Sequence, residues 1–432
     1  MPRTVHTFGR PLRFSLALVC CLTLGRSAGA ATPPPARRAA PVVQGREVRV
    51  VVGSAGVEAA PGATGAWVVR DAWGRTHARG SGAPDLVLER RNRRVRAVVG
   101  GGTRVTAWSD EPLVLEPDAP GSAVTWEGKR YRGVLAFAPV DTALLVVNRV
   151  PLESYLRGVV PLELGVRSPN EAAALEAQAI AARSYTAVRM REGVGRPFDL
   201  TDDAWDQVYG GMEAEHPIAD AAVEATAGWV LTWQGSVVRA PYHSTCGGET
   251  IAPTEAWSGV RDEPWLRGVS DARSAAEGGG AWCDRSPRFH WERSFDRRAL
   301  DDAVERYVRA QGAGMLVAGG AVRGARIEAR TRSGRVATLV LETEGGNVRL
   351  SGTALRTTLR NARGEILNST YFSLEPVIGR DGRLMQLTLR GTGNGHGVGM
   401  CQWGAIGRSR AGYDARAILS AYYPGTEVER LR

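Results

Sequence analysis

Several common catalytic and metal-binding patterns are absent from the sequence. It has no Gly-x-Ser-x-Gly elbow, no His-Glu-x-x-His and no paired Cys-x-x-Cys spacing. The first absence excludes a serine hydrolase of the elbow type, and the other two leave a zinc protease without support. Zinc held by His243, Cys246 and a further ligand also has no support from the spacing. We therefore expect no metal and no cofactor.

Long apolar runs are also lacking. The run from Phe14 to Leu24 follows three arginines and precedes the small residues Ala28-Gly29-Ala30. It is too short to span a bilayer stably, and its surroundings are typical of a signal peptide over residues 1–30. No later stretch approaches transmembrane length. The sequence therefore predicts an exported protein without a stable membrane span, in a periplasm or in the cell wall and extracellular space.

Lysine is nearly absent, since Lys129 is the only one and almost all the positive charge is arginine. The formal net charge of +10 falls to +6 when the four arginines of residues 1–30 are removed. A mild positive excess suits an acidic polymer as a partner. The basic residues form no clustered stripe, so we expect no nucleic-acid partner.

Cysteine is scarce as well. Two of the five cysteines lie in the predicted signal peptide, and Cys246, Cys283 and Cys401 remain. An odd number in an oxidising compartment predicts one pair and one leftover thiol. We expect a disulfide between Cys246 and Cys283, which would stabilise the fold by roughly 3–4 kcal/mol through loop entropy, and a reduced Cys401. A thiol nucleophile formed by Cys401 with His243 or His396 is a less favoured alternative.

The chain after the signal peptide changes in composition twice. Residues 31–45 are rich in proline and predict an extended linker. Short β-branched runs separated by Gly, Pro and Asp turns predict β structure of unknown role over residues 46–130. Residues 131–430 form the predicted main domain, in which residues 290–380 are a candidate subdomain.

The main domain mixes helix and strand signals. Ser168-Pro169-Asn170-Glu171 is a capping box with proline at the first helical position, and it predicts a helix to about Met190 with a stop at Gly193. Further helices are predicted over residues 217–227, over residues 295–312 and from Asp414, with hairpins over residues 229–243 and 327–350. These signals predict an α+β fold, a mixed sheet with packed helices plus the small N-terminal β-rich region.

Four glycines stand two residues apart between Gly393 and Gly399. If the segment is extended, one face is bare backbone and the other carries Asn394, His396 and Val398. Glycine weakens a strand, so such a run marks close approach by a ligand or by another backbone. The segment is a candidate wall of a binding groove, and a tightly packed core strand or a bulged loop is the alternative.

Glu163 ends an apolar run just before the capped helix. A carboxylate among Val160, Leu162 and helix-packing side chains has its charged form disfavoured, which raises its pKa towards that of a useful general acid. The alternative is a solvated glutamate that interacts with the helix N-terminus.

Three other places carry polar residues suited to a site. The capped helix contains Gln178, Arg183 and Tyr185, which either face a cleft or cover the helix surface. Asp202, Asp203 and Asp206 precede Gln207, but their spacing is not that of a calcium-binding loop. In the segment Tyr242 to Gly248, polar residues enter a Gly-Gly turn whose backbone N–H groups can hold a carbonyl or hydroxyl.

Six ordered segments are similar to motifs of one family. They are Val150–Glu163, Glu176–Tyr185, Gln207–Gly210, Tyr242–Gly248, Gly395–Met400 and Tyr422–Thr426. On these residues the chain resembles the stage II sporulation protein D / LytB family, from about Tyr131 to Glu427. It departs from the family at Cys401 and Trp403, where the family often has serine and tyrosine.

The resemblance implies a lytic transglycosylase that cleaves MurNAc-GlcNAc bonds of peptidoglycan glycan strands, preferably strands stripped of stem peptides. The family's catalytic glutamate falls on Glu163. One acid/base suffices, because the C6 hydroxyl of the sugar is the nucleophile and the product carries a 1,6-anhydro end. A polymer substrate also requires an open groove. A non-catalytic glycan-binding enhancer of a cell-wall amidase is the alternative, and it would make that amidase a partner.

The residues expected to bind substrate lie in the shared motifs. They are Arg183, Tyr185, Gln207, Tyr209, His243, Ser244, Thr245, Gly247, Gly248, His396 and Gln402.

Overall fold

The computed structural model of the protein describes residues 47–312 and 320–431. Helices and strands are mixed along this part of the chain, which confirms the predicted α+β class and the β-rich N-terminal region. The predicted signal peptide and linker lie outside the described residues. No helix in the described part is long and apolar enough to cross a membrane.

Thirteen strands precede the first helix in the described part of the chain. These are β1 (Glu47–Ala55), β2 (Glu58–Ala59), β3 (Gly62–Thr64), β4 (Ala66–Arg70), β5 (Thr76–Ser81), β6 (Leu86–Arg91), β7 (Arg94–Val99), β8 (Arg104–Val105), β9 (Leu113–Pro117), β10 (Ala123–Trp126), β11 (Lys129–Tyr131), β12 (Val134–Pro139) and β13 (Leu144–Pro151).

The remaining described residues form eight helices, twelve strands and three single 3₁₀ turns. The helices are α1 (Leu152–Leu164), α2 (Ala172–Glu192), α3 (Pro217–Ala225), α4 (Pro253–Ala256), α5 (Arg297–Gln311), α6 (Thr353–Thr358), α7 (Gln402–Arg410) and α8 (Ala415–Tyr422). The strands are β14 (Leu200–Thr201), β15 (Trp229–Trp233), β16 (Ser236–Val237), β17 (Tyr242–His243), β18 (His290–Asp296), β19 (Val322–Arg330), β20 (Val336–Thr343), β21 (Gly346–Ser351), β22 (Phe372–Ile378), β23 (Leu384–Thr392), β24 (Met400–Cys401) and β25 (Glu427–Arg430). The 3₁₀ turns are Pro169–Glu171, Gly211–Ala214 and Ala275–Glu277.

The largest sheet has seven strands in the order β14-β1-β13-β12-β9-β4-β5. In β1 the alternate residues Val48, Val50 and Val52 are buried, as the period of two requires for a strand packed on a core. Strands from both sides of residue 130 share this sheet, so hydrogen bonds cross the predicted domain boundary. The domain division itself stays a prediction.

Helix α1, which the sequence did not predict as a helix, leads directly out of β13. Its buried residues repeat at the spacing of one helix face, at Leu152, Tyr155, Leu156, Val159 and Val160. Glu163 lies on this same face, one turn after Val159, and Glu153 lies at the edge of the face. The apolar run read from the sequence is thus the buried side of an amphipathic helix.

Helix α2 confirms the capping-box prediction. The Ser168 N–H donates to Glu171 Oε2 at 3.0 Å, a 3₁₀ turn leads into the helix, and Gly193 is its C-cap. Alanine predominates in α2, and small side chains allow α1, α3, α7 and α8 to pack around it. This central helix is therefore buried on several faces.

The predicted hairpin over residues 229–243 is only partly confirmed. β15 and β16 pair around Gln234 and Gly235, whose φ angles of +50° and +75° are those of a tight hairpin turn. β17, however, pairs in parallel with β24, so His243 lies opposite Cys401. This pairing joins two segments that are far apart in the sequence and forms one side of the candidate site.

A second hydrophobic core lies within residues 291–389 and is formed by α5, α6 and strands β18 to β23. The predicted helix over residues 295–312 and the turn at Ser333-Gly334 are confirmed here. The region overlaps the candidate subdomain at 290–380, which stays a prediction.

Candidate functional site

Glu163 lies in the last turn of α1 and is partly exposed. Its Oε1 accepts a hydrogen bond from the Val208 N–H at 2.8 Å, and its Oε2 is 3.5 Å from Gln402 Nε2. Two other segments of the chain, at Val208 and Gln402, therefore hold the carboxyl group that α1 presents.

Burial raises the pKa of Glu163 above its usual value, while the hydrogen bonds from Val208 and Gln402 oppose this shift. The negative end of the α1 dipole also disfavours a carboxylate in the last turn. Leu162, which the sequence placed against the carboxyl, is instead 45% exposed. The direction of the predicted shift agrees with the structure, and a protonated Glu163 is suited to general acid catalysis.

Two glutamine side chains extend the site beside Glu163. Gln402 Nε2 is 3.4 Å from Gln178 Oε1, and both residues are buried. Gln178 Nε2 is buried without a partner in the described part of the chain. The sequence predicted only that Gln178 faces a cleft or covers the helix surface, and it is not among the residues expected to bind substrate. The sequence did carry a signal for this residue, since Gln178 is the single polar side chain in the stretch from Ala177 to Ala182. A polar side chain in such a buried stretch needs hydrogen-bond partners, which a binding site can supply.

Gln207 and Tyr209 lie in the core next to the site. Gln207 Oε1 accepts hydrogen bonds from Thr186 Oγ1 at 2.7 Å and Tyr155 at 3.1 Å, and its Nε2 donates to the Tyr242 hydroxyl at 2.8 Å. Tyr209 is buried and donates to Asn148 at 2.9 Å. Burial and the nearby Glu163 charge raise the pKa of Tyr242. We assign Gln207 and Tyr209 a supporting role in place of the predicted contact with substrate.

Arg183 is fully buried and its donors are used within the protein. Nε and Nη2 bond to Glu153 at 2.9 and 2.7 Å, and Nη1 bonds to the Trp229 carbonyl at 3.0 Å. A glycan cannot reach a guanidinium that is 0% exposed, so this structure corrects the predicted contact between Arg183 and substrate. Tyr185 is partly buried and donates to Asp206 at 2.9 Å.

The segment from His243 to Thr245 differs in exposure from residue to residue. His243 is buried, with Nδ1 3.2 Å from the Val398 carbonyl, and Thr245 is buried against Ser286 at 2.8 Å. Ser244 is partly exposed. Of these three predicted substrate contacts, only Ser244 presents an accessible side chain, and its role stays a prediction.

The glycines after this segment form the predicted turn. Gly247 and Gly248 have φ angles of +81° and +107°, which only glycine adopts readily. The Gly248 N–H donates to Cys246 Sγ at 3.4 Å. This donor, expected to hold a substrate carbonyl, is therefore used by a sulfur atom.

The segment from Gly393 to Gly399 is not the regular strand that the sequence suggested. Its four glycines all have left-handed φ angles between +71° and +109°. A Cβ at Gly393 would lie 2.9 Å from the Thr245 carbonyl, and one at Gly399 would overlap the Pro241 carbonyl. The glycines are thus required because the backbone of residues 241–246 approaches closely. The sequence predicted close approach either by a ligand or by another backbone, and the structure shows the second.

His396 is held by backbone groups at both ring nitrogens. Nε2 is 2.9 Å from the Tyr242 carbonyl, and Nδ1 accepts from the Val398 N–H at 3.1 Å. Burial and the nearby Arg356 charge lower the pKa of His396 to about 3, so the ring is neutral. Contact with substrate is left to the ring faces and edges, and Trp257 already packs on the ring at 5.0 Å between centroids.

The three cysteines meet in the interior and are free thiols. The Sγ atoms of Cys246 and Cys283 are 3.5 Å apart, whereas a disulfide bond measures about 2.05 Å. The predicted disulfide is therefore not formed in this structure. Cys401 lies opposite His243 as the nucleophile alternative required, but its thiol is fully buried and burial raises its pKa. A buried, protonated thiol is a poor nucleophile.

The site thus combines a partly buried glutamic acid, a glutamine pair and a glycine-rich backbone crossing. Residues 140–233 match the family described as Stage II sporulation protein, and residues 271–399 match a domain of unknown function (DUF8618). The matched regions include Glu163 and Gln178 in the first case and His396 in the second.

Three curated relatives cover much of the chain. Stage II sporulation protein D of Bacillus amyloliquefaciens is 30% identical over 302 residues, 65% of this chain and 75% of that protein. An uncharacterised protein of Brachyspira hyodysenteriae is 29% identical over 306 residues, 70% and 73% of the two chains. The amidase enhancer of Bacillus subtilis is 29% identical over 355 residues, 73% of this chain but only 46% of its own length.

These matches show that the chain belongs to the stage II sporulation protein D / LytB family, as its motifs indicated. Its role is therefore related to the cell wall.

Proposed function

We propose that the protein is a lytic transglycosylase that cleaves MurNAc-GlcNAc bonds in glycan strands, preferably strands without stem peptides. The carrying observation is Glu163, a partly exposed residue whose carboxyl group has a raised pKa. A protonated carboxyl group at a reachable position is what departure of the bridging oxygen requires.

The surroundings of Glu163 favour a transglycosylase over a hydrolase. Hydrolases of glycosidic bonds use two carboxyl groups, one as acid and one as nucleophile or base. Such a second carboxylate lies about 5–9.5 Å from the first and would raise its pKa by charge repulsion. Among the described residues, burial raises the pKa of Glu163 and no neighbouring carboxylate contributes to the shift. A reaction that needs only one acid/base fits this arrangement.

The proposed reaction returns Glu163 to its starting state. Glu163 donates its proton to the bridging oxygen as the bond from that oxygen to C1 of the muramoyl sugar breaks. The C6 hydroxyl of the same sugar attacks C1 and gives its proton to the Glu163 carboxylate. The product is a 1,6-anhydromuramoyl end, and an intramolecular nucleophile gains from its fixed proximity.

The glutamine pair orients the reacting groups in this proposal. The Val208 N–H holds Oε1 of Glu163 at 2.8 Å and Gln402 lies 3.5 Å from Oε2, so the two donors together fix the orientation of the carboxyl group. The Gln178 amide has a buried N–H₂ group without a partner in the described residues. A sugar acetamido carbonyl or a bound water would satisfy it, because a buried donor left unpaired costs about 1–3 kcal/mol.

Digestion of denuded glycan with the purified protein tests the proposal, with products read by mass spectrometry. Anhydro ends are expected. Reducing ends would indicate a hydrolase, and peptides released from intact wall would indicate an amidase or peptidase. Unchanged glycan, with binding retained, would contradict the enzymatic proposal.

A glycan-binding enhancer of a cell-wall amidase is the second candidate. It is supported by the relative named amidase enhancer, of which this chain spans less than half. The two candidates differ in one measurement. An enhancer increases the rate at which an added amidase releases peptides and produces no anhydro ends when incubated alone with glycan.

Both candidates place the protein outside the cytoplasm, and we propose export by the predicted signal peptide. The motivation is the pattern of residues 1–30 together with a substrate that lies outside the cell membrane. Fractionation of cells that express the full chain, with mass spectrometry of the processed N-terminus, tests this. An unprocessed cytoplasmic protein would contradict it.

A further inference from the structure

Four buried side chains from distant parts of the chain meet beside the candidate site and have no role in the proposed reaction. They are Cys246, Asp271, Cys283 and Cys401, each 0% exposed. One ligand atom from each lies within 4.8 Å of all the others. Three sulfur atoms and a carboxylate oxygen form a donor set that suits a borderline-soft metal ion such as zinc. Magnesium and calcium prefer sites made of oxygen ligands alone.

Two edges of the cluster are close to those of a tetrahedron around a metal. Cys246 Sγ is 3.5 Å from Cys283 Sγ and 3.2 Å from Asp271 Oδ2. Zinc bonds of about 2.3 Å to sulfur and 2.0 Å to oxygen give edges of roughly 3.8 and 3.5 Å. Around zinc these two edges would lengthen by about 0.3 Å, and any other edge near the 4.8 Å limit of the cluster would shorten by about 1 Å.

We propose that Cys246, Asp271, Cys283 and Cys401 bind one zinc ion in a closed, tetrahedral structural site. Four protein ligands fill the coordination shell, and complete burial leaves no position for a substrate or a reactive water. The proposal is independent of whether Glu163 is catalytic.

Groups around the cluster are arranged to support anionic ligands. Backbone N–H groups donate to sulfur, from Cys246 to Cys401 Sγ at 3.2 Å and from Gly404 to the same atom at 3.3 Å. Asp271 Oδ1 accepts from the Tyr422 hydroxyl at 2.6 Å and from Arg408 at 3.4 Å. Partners of this kind fix the orientation of metal ligands and stabilise their deprotonated forms.

The charges also balance better with an ion present. Three thiolates and a carboxylate carry four negative charges, of which zinc cancels two. Arg408 contributes a positive charge next to Asp271, and Cys401 is the N-cap of α7, where the helix dipole is positive. A disulfide would use two sulfurs and leave the Cys401 thiol and the buried Asp271 without a shared partner.

The site would fix part of the candidate active site. Cys401 directly precedes Gln402, the residue that contacts Glu163, and Cys246 follows Ser244 and Thr245 in the β17 segment. A metal that joins these segments to Asp271 and Cys283 holds the position of Gln402 without touching substrate.

The test begins with the full mature chain, purified without added metal and analysed by elemental mass spectrometry. One zinc per chain is expected, with all three thiols protected from alkylation until a chelator is added. Replacement by cobalt(II) should give the visible bands of a tetrahedral site and thiolate-to-cobalt charge transfer. A metal-free protein, or one in which peptide mapping finds a Cys246–Cys283 disulfide, would overturn the proposal.

Substitutions at Asp271 separate metal binding from folding. Asp271→Cys should retain one zinc in an all-cysteine site, whereas Asp271→Asn should bind zinc at least about 100-fold more weakly, the upper end of the loss seen for outer partners. Asp284→Asn is the control, because Asp284 pairs with Arg273 at a partly exposed position. If Asp271→Asn and Asp284→Asn bind zinc equally well, or Asp271→Cys folds without metal, Asp271 is not a ligand.

Discussion

At the scale of single residues, the properties of Glu163 follow from where α1 ends. The helix presents the carboxyl group at its negative pole, partly desolvated, with a backbone N–H on one oxygen and an amide near the other. Desolvation and the dipole favour the protonated acid, while the two donors prevent complete loss of acidity. A group balanced in this way can lose and regain a proton within one catalytic cycle.

Glu163→Gln should abolish most anhydro-product formation while glycan binding persists. Glutamine keeps the size of the side chain but removes the proton, and general acid/base assistance contributes about 10²–10⁴-fold in rate. The measurement is product formation by mass spectrometry, with folding checked by circular dichroism. Glu224→Gln is the control, since Glu224 is exposed on α3. Full activity of Glu163→Gln would falsify the assignment.

The pH dependence of the rate should report the same group. The pKa of Glu163 is raised, so the acid stays protonated to a higher pH than an ordinary glutamate, and the rate falls as pH rises through this pKa. Gln402→Leu removes a donor that lowers the pKa, so the fall should move to higher pH. Initial rates across pH for the wild type and both variants test this, with Glu224→Gln expected to match the wild type. An unchanged profile for Gln402→Leu would contradict the contact.

The same shift has a consequence for stability. Because the folded-state pKa exceeds that of the unfolded chain, folding favours the protonated form, and the contribution of Glu163 to stability is complete below the unfolded pKa. It is lost as pH rises through the folded pKa. Denaturant unfolding at several pH values should therefore show a smaller loss of stability with rising pH for Glu163→Gln than for the wild type. Parallel curves would contradict this linkage.

The environment of a residue could be predicted from the sequence only where its neighbours along the chain determine that environment. The position of Glu163 in an apolar run was visible in the sequence, because neighbours along a helix help to set its environment. The burial of Arg183 was not visible in the sequence, since its partners, Glu153 and the Trp229 carbonyl, are distant from it along the chain. The four-ligand cluster was also hidden, because its members come from widely separated segments with no metal-site spacing.

At the scale of elements, local chemistry was a good guide where one turn or cap determines the geometry. The capping box at Ser168 and the turn at Gln234-Gly235 are both present. The glycine segment follows the bulged-loop alternative and not the extended strand of period two. Left-handed φ angles at each of its four glycines make a different path, which the crossing backbone of residues 241–246 requires.

Gly399→Ala should destabilise the fold by about 1–3 kcal/mol more than Gly412→Ala. Both glycines have positive φ angles, +71° and +90°, so the backbone strain is similar. A Cβ at Gly399 meets the Pro241 carbonyl, whereas one at Gly412 meets nothing within 4 Å. Urea unfolding of both variants gives the difference in free energy of unfolding, which reports the steric overlap of the introduced alanine side chain with the Pro241 carbonyl. Equal losses of stability in the two variants would show that the backbone can shift to make room at Gly399.

At the scale of the whole molecule, pairings between distant segments determine the architecture. β1 pairs with β13 and β14, and β15 pairs with β25. No local pattern records which strands become neighbours. The α+β class was therefore predictable, and the shared sheet across residue 130 was not.

A fragment that begins at residue 131 should not fold independently. It lacks β1, β4, β5 and β9, four strands of the seven-stranded sheet, and would expose the edges of β12 and β13. We expect aggregation on expression, whereas removal of residues 1–45 leaves every described strand in place. Size-exclusion chromatography and thermal unfolding of both fragments are the measurements. A soluble 131–432 fragment with a cooperative transition would support the boundary at residue 130 and contradict this expectation.

The pairing of β15 with β25 has a consequence for the timing of folding. Thr232 donates to Glu429 at 2.8 Å across 197 residues of sequence. The ribosome must synthesise that whole interval before the sheet can close, and contacts of such long range form slowly. The three-stranded sheet of β16, β15 and β25 therefore stays incomplete until nearly the whole chain is available, and this late closure is compatible with the export that we propose.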